Sequence, residues 1–246
     1  MRLACYDALG NRYLVAPVGA TVEGPAARSL CAAHGGDGLL VGRCGTDGAF
    51  FLRIFNPDGT EAENSGNGTR SFAQFLRDCS LISENFCEIF PPGGPVRCVF
   101  LAGGIISAVL GPASVSAGPL SVFVGGRKIV GHRVDVGNPH FVIRGASIPK
   151  NWRRIGGQLD CHRSFPRGTN VEFMRLLSPK NIFLRIYERG VGPTLSCGSG
   201  AAAAVAVAHQ IFGSSPEQSV SMEGGVLRVS VLPESVTISG PIKRIF

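Results

Sequence analysis

The chain repeats itself. "RIFNPDGTEAENSGNG" begins at Arg53 and "RIYERGVGPTLSCGSG" begins at Arg185. Each copy reads Arg-Ile-aromatic-polar, then eight residues, then Ser or Cys followed by Gly-x-Gly, so Ser65 falls where Cys197 falls. A second echo lies upstream, "GNRYLV" from Gly10 and "GNPHFV" from Gly137. The echoes keep the same order at nearly equal offsets, 132 and 127 residues, which points to a chain made of two similar halves.

Local structure follows the repeat. "FFLRIFN" (Phe50 to Asn56) and "NIFLRIYE" (Asn181 to Glu188) have the β-branched and aromatic content of strands. Each leads through a polar loop into Gly-x-Gly and a helix. The first helix is predicted over Gly68 to Asp78, with Phe72, Phe75 and Leu76 on one face. The second opens at Gly198-Ser199-Gly200 and runs through alanine and valine alone from Ala201 to Ala208. It is apolar nearly all round, so it should be enclosed. A length of 246 residues suits two such units. With 34 Gly and 16 Pro the turns are many and the strands short. The expected halves are residues 1–114 and 115–236, with residues 237–246 as a C-terminal strand able to return to the first.

Charge and cysteine content narrow the partners. The net charge is +7, yet the basic residues form no block; the densest groups are Arg153-Arg154 and Lys243-Arg244. No aromatic and basic stripe accompanies them, so nucleic acid is not expected. A modest positive potential suits an anionic or zwitterionic small molecule. Eight cysteines include no C-x-x-C pair, against a zinc ribbon or thioredoxin motif. The start "MRLACYDALGNRYLV" has no apolar signal region, so a cytoplasmic protein with reduced cysteines is expected. Val99 to Gly126 carries no charge, but glycine and proline pairs divide it; short strands fit better than a membrane span.

Cys197 sits immediately before the second helix. There the unpaired N–H groups and the positive end of the helix dipole favour a thiolate. The competing reading is a small buried core residue.

Together, "NPDGTEAENSGNGTR", "GNPHF", "FPRGTNVEF" and "YERGVGPTLSCGSGA" resemble the diaminopimelate epimerase family of cofactor-independent amino-acid epimerases and racemases. The resemblance covers most of the chain. It implies an α+β fold of two pseudo-symmetric halves, each a curled, mostly antiparallel sheet around a central helix, with the active site between them. It implies no cofactor and no metal, an amino-acid substrate, and a homodimer as an allowed state. Two cysteines on opposite sides of the substrate Cα would take and return the proton, at the positions of Cys197 and Ser65. Glu188 would assist Cys197, and His140 the residue at position 65. Backbone N–H groups of Gly66, Asn67, Gly198 and Ser199 would hold the reacting carboxylate, where two helix N-termini stabilise developing charge. Asn11, Asn56, Asn138, Asn170 and Arg189 would bind the substrate's polar groups.

Each residue has a plainer reading. Asn56 before Pro57-Asp58-Gly59 is a good turn residue, and so are Asn11 after Gly10 and Asn138 before Pro139. His140 could be a satisfied core histidine, and Glu188-Arg189 a surface ion pair.

The departures matter as much. Ser65 stands where the family has its other cysteine, and a hydroxyl is a far weaker acid than a thiol. Pro193 stands where an acidic residue is usual, and Gly38 where some members carry a polar contact. Four accounts follow: an epimerase, on diaminopimelate first, using His140 through Ser65 or a water; a one-base relative that dehydrates a hydroxylated amino acid or racemises another; a replacement that disables the site; or a non-catalytic module whose Gly-x-Gly helix starts bind small carboxylates.

Overall fold

Both copies of the repeat fold into the same succession of elements. The computed structural model describes residues 1–46 and 48–246. It divides into one unit of Met1–Leu110 with Ser239–Phe246 and a second of Gly111–Ile238.

In unit one, β1 (Ala4–Ala8) and β2 (Asn11–Val15) form a hairpin around Leu9-Gly10, both at positive φ. Helix α1 (Gly24–His34) crosses from β2 to β3 (Gly38–Cys44), parallel to it. Antiparallel β4 (Phe50–Phe55) and β5 (Glu61–Ala62) follow. Helix α2 (Gly66–Asp78) then carries the chain to β6 (Phe86–Phe90), parallel to β4. An antiparallel meander through β7 (Val96–Phe100) and β8 (Ile105–Leu110) completes the run. Each parallel pair is joined by a helix because a tight turn cannot connect parallel strands.

In unit two, β9 (Ser114–Val115) and β10 (Leu120–Val124) precede the repeat and pair with β11 (Arg127–Asp135). The repeat then runs β12 (Pro139–Arg144), α3 (Trp152–Asp160), β13 (Asn170–Ser178), β14 (Asn181–Glu188), β15 (Gly192–Thr194) and α4 (Gly198–Phe212). It ends with β16 (Glu217–Met222) and β17 (Gly225–Leu232). Parallel and antiparallel pairings recur in unit one's order: β12 and β14 are parallel to β13 and β16, and β13 is antiparallel to β14. The chain finishes with β18 (Ser235–Pro241) and β19 (Lys243–Arg244), the latter antiparallel to β1.

A central helix organises each unit. Helix α2 touches β1, β2, β3, β6, β7 and β8, and α4 touches β9, β11, β12, β13, β14, β16 and β17, so each sheet curls about its helix. The outer faces are covered by α1 over Leu14, Leu39 and Phe55, and by α3 over Phe141, Val171 and Phe173. Helix α4 is buried on all sides from Gly198 to Ala208, and Gly213 in the left-handed conformation ends it. Helix α2 starts at Gly66, earlier than the sequence pattern predicts, because the Ser65 side chain caps it by accepting the Gly68 N–H at 3.0 Å. It also buries Asn67, Thr69, Arg70 and Ser71 alongside its apolar face.

The alanine helix fits because its side chains end at Cβ. Ala204 is fully buried, so Ala204→Leu adds atoms to a filled core. A loss of about 1–3 kcal/mol is expected, read as a lower urea midpoint at unchanged slope. Among the described residues no helix is long and apolar enough to cross a membrane. The uncharged stretch from Val99 forms the end of β7, a short turn at Ala102–Gly104, and β8, β9 and β10.

Candidate active site

Two groups of polar side chains gather at the helix starts, one in each unit. In unit two, Cys197 is the N-cap of α4 and is buried, with extended backbone at φ −145 and ψ 123. Its Sγ accepts the Gly200 N–H at 3.5 Å and lies 3.4 Å from Ser199 Oγ. Ala201 N–H bonds to the Cys197 carbonyl, so the N–H groups of Gly198 and Ser199 come before the first intrahelical bond.

Glu188 ends β14, and its carboxyl lies close to Cys197 and Thr194. Burial raises its carboxyl above the usual glutamate range, and the neighbouring Thr194 and Cys197 partly offset the rise. Cys197 is pushed well above the ordinary thiol range, first by burial and then by the Glu188 carboxylate. The thiolate expected from the helix position is therefore not the resting form. The dipole and the Gly200 N–H act in the predicted direction, but enclosure beside a carboxylate outweighs them. The result is a protonated thiol held close to a carboxyl that can serve as its base.

His140 on β12 is fully enclosed. Its Nδ1 lies 2.7 Å from Glu172 Oε1, and its Nε2 lies 2.8 Å from Asn138 Oδ1. Both ring nitrogens thus face oxygen atoms, and these two contacts fix the ring's orientation. Glu172 on β13 is fully buried, and burial raises its carboxyl while His140 opposes the rise. Its Oε2 has no hydrogen-bond partner among the described residues. Helix α4 approaches this carboxylate at Gly200, where a Cβ would lie 2.9 Å from Glu172 Oε1. Asn170 is held by both ends of its amide: Nδ2 donates to the Pro139 carbonyl, and Oδ1 accepts the Arg189 N–H. The Arg189 guanidinium reaches the Arg167 carbonyl at 3.4 Å.

In unit one, Ser65 takes the N-cap place. Its Oγ lies 2.7 Å from the Tyr13 hydroxyl on β2. Gly66 and Asn67 open α2, and Asn67 donates its amide to Asn11 at 3.4 Å. Asn67 also accepts a 2.7 Å bond from Arg70, a fully buried guanidinium. Asn56 behaves differently: its amide donates to Thr60 Oγ1 and its N–H to the Thr60 carbonyl, so it closes the turn after β4.

Within unit two the structure brings together Cys197, Glu188, Gly198 and Ser199, and separately pairs His140 with Asn138 and Asn170 with Arg189. Within unit one it brings together Ser65, Gly66, Asn67 and Asn11. Sequence reasoning missed Tyr13, Arg70, Glu172 and Thr194. The repeat carried a signal for the first: the offset linking Asn11 to Asn138 also links Tyr13 to His140. Among the described residues no three His, Cys, Asp or Glu side chains gather as a metal-binding group.

Residues 133–242 match the family described as diaminopimelate epimerase. The chain is 34% identical to the diaminopimelate epimerase of Desulforudis audaxviator, over 91% of this chain and 88% of that one. It is 33% identical to diaminopimelate epimerase 2 of a Nostoc strain, over 94% and 88%. Among solved structures, a hydroxyproline epimerase from Agrobacterium vitis with bound trans-4-hydroxy-L-proline superposes with a TM-score of 0.77 at 15% identity, covering 99% of this chain and 90% of that one. A predicted epimerase from Pseudomonas aeruginosa gives 0.77 at 15%, covering 100% and 97%. At that identity these two structures carry the fold alone.

Proposed function

The chain belongs to the diaminopimelate epimerase family of pyridoxal-phosphate-independent epimerases and racemases, and from that premise we propose that it moves the proton at Cα of diaminopimelate, interconverting the LL and meso forms. The observation that carries this reading is the Cys197 thiol at the N-cap of α4 with the Glu188 carboxyl close beside it. A non-catalytic binder of carboxylates needs the helix start but not a thiol with its own base.

In the proposed reaction Glu188 takes the thiol proton and the Cys197 sulfur takes the Cα proton. Charge then spreads onto the substrate carboxylate, which the N–H groups of Gly198 and Ser199 stabilise. The unit-one group, with Gly66 and Asn67 at its helix start, returns a proton to the other face of Cα. Asn11, Asn138, Asn170 and Arg189 fix the polar ends of the substrate. Asn56 supports the site through its turn. His140 is held by Glu172 and Asn138, so its part is to fix the Asn138 amide.

The test is exchange in heavy water. LL- and meso-diaminopimelate are incubated separately, and each product is separated by hand and weighed for deuterium. Interconversion with one deuterium per inverted centre is expected. Exchange confined to a different amino acid would move the substrate assignment elsewhere in the family. Loss of water from a hydroxylated amino acid without exchange would make the chain a dehydratase.

A further inference from the structure

Ser65 is bonded in a way that a cysteine at its place would not require. A serine hydroxyl has two lone pairs and one proton. The Gly68 N–H occupies one lone pair at 3.0 Å, and the Tyr13 hydroxyl lies 2.7 Å away. When Tyr13 donates, both lone pairs are filled and the serine's own proton is free to be given away. Tyr13 is buried and stands at the repeat position of His140. Its ring has room because Gly38 faces it across the parallel strands β2 and β3. A Cβ at Gly38 would lie 2.8 Å from a carbon of that ring, whereas Asn170 faces His140 at the matching register in unit two. Behind the pair lies Arg70, fully buried. It is bonded to the Gly66 and Gly240 carbonyls and to Asn67 Oδ1, without a carboxylate partner among the described residues. Burial lowers its pKa to about 10, still a cation at neutral pH, and negative charge on Tyr13 would favour that cation.

We propose that Tyr13 and Ser65 form a two-residue proton relay, which supplies the first half with an acid–base group where a second cysteine is absent. The proposal rests on the epimerase reading above. In one direction the Ser65 O–H bond breaks as its proton goes to the substrate carbanion. The Tyr13 O–H bond breaks as the phenol proton moves to Ser65 Oγ. Serine is left neutral and Tyr13 becomes a phenolate beside the Arg70 cation. In the other direction Ser65 Oγ accepts the Cα proton while its own proton passes to the phenolate. Tyr13 acts through Ser65 and does not touch substrate. The choice of tyrosine is chemically apt, since a phenol ionises near pH 10, within about two units of a free thiol.

The experiment reads Cα exchange from each hand of diaminopimelate separately. The hand that still exchanges in Cys197→Ala is the one served by the first half. Tyr13→Phe is expected to lower exchange from that hand by about a hundredfold or more, leaving the other hand within about threefold. Adding Ser65→Cys to Tyr13→Phe should restore at least about tenfold, because a thiol carries its own ionisable proton. Site-specific 3-fluorotyrosine at position 13 keeps the hydrogen bond but makes the phenol more acidic. The alkaline limb of the pH profile for proton return should then move to lower pH. Tyr13→Phe exchanging like the unmodified protein, no recovery in the double variant although it folds, or an unmoved alkaline limb would each overturn the relay. If the unmodified protein exchanges no Cα proton from either hand, the epimerase reading fails and the relay falls with it. If it exchanges normally and only the Tyr13 results are flat, the relay alone fails.

Discussion

Glu188→Gln is expected to lower Cα exchange by about 10²–10⁴-fold while making Cys197 easier to alkylate. The two effects run in opposite directions because one carboxylate does two things. As a base it accepts the thiol proton, and glutamine cannot. As a negative charge it is the second cause, after burial, of the raised Cys197 pKa. Removing the charge leaves burial in place, so the thiol pKa falls but stays above the ordinary range. At a fixed pH near 8 the variant therefore holds more thiolate, and iodoacetamide should label it faster. Cys44, Cys79 and Cys161 are exposed and will label in any case, so the readout is the mass of the peptide carrying Cys197. The pH profile gives a second check. Glu188 must be ionised to act, and its carboxyl is raised by burial, so the acid limb of activity should lie above the usual glutamate value and disappear in the variant. Slower labelling together with lost activity would show that Glu188 only packs beside the thiol.

The repeat made the architecture legible. One motif copied at offsets of 132 and 127 residues anticipates two copies of a strand, a loop and a central helix, and β4–α2 and β14–α4 have that form. Alanine and valine alone from Ala201 to Ala208 likewise announce a helix enclosed on every side. The polar interior of α2 was less legible. Arg70 is a charged residue in a helix with an obvious apolar face, and its burial depends on the Gly240 carbonyl, 170 positions away. The state of Cys197 was left open by the sequence for a related reason. Local sequence shows the helix dipole and an enclosed helix, but not how strongly burial counts at this thiol or that the distant Glu172 carboxylate also raises it. Tyr13 and Glu172 look like ordinary strand residues. Their neighbours come from register, Tyr13 opposite Gly38 and His140 opposite Asn170, and register is a tertiary property. The repeat also exposes an asymmetry. Glu172, Glu188 and His140 in unit two correspond to Leu40, Asn56 and Tyr13 in unit one, while the buried Arg70 corresponds to Ala202. One helix start is set among carboxylates and the other beside a cation.

Cys197→Ala separates catalysis from structure by magnitude. As an N-cap the thiol accepts one long backbone bond, from Gly200, so its loss should cost no more than about 1 kcal/mol of stability. As the atom that takes the Cα proton, its loss should slow exchange from its own hand by about 10²–10⁴-fold, equivalent to about 3–5 kcal/mol of barrier. Net epimerisation needs both groups in each turnover, so it should fall by the same factor in both directions. The opposite hand should still wash in deuterium without inverting, because the Ser65 group can remove and return a proton on its own face. Urea unfolding close to that of the unmodified protein, alongside lost inversion and one-handed exchange, is the expected pattern. Retained inversion would remove Cys197 from the reaction and return it to the core. Equal loss of exchange from both hands in a folded variant would mean that Cys197 is the sole base and that the first half only binds.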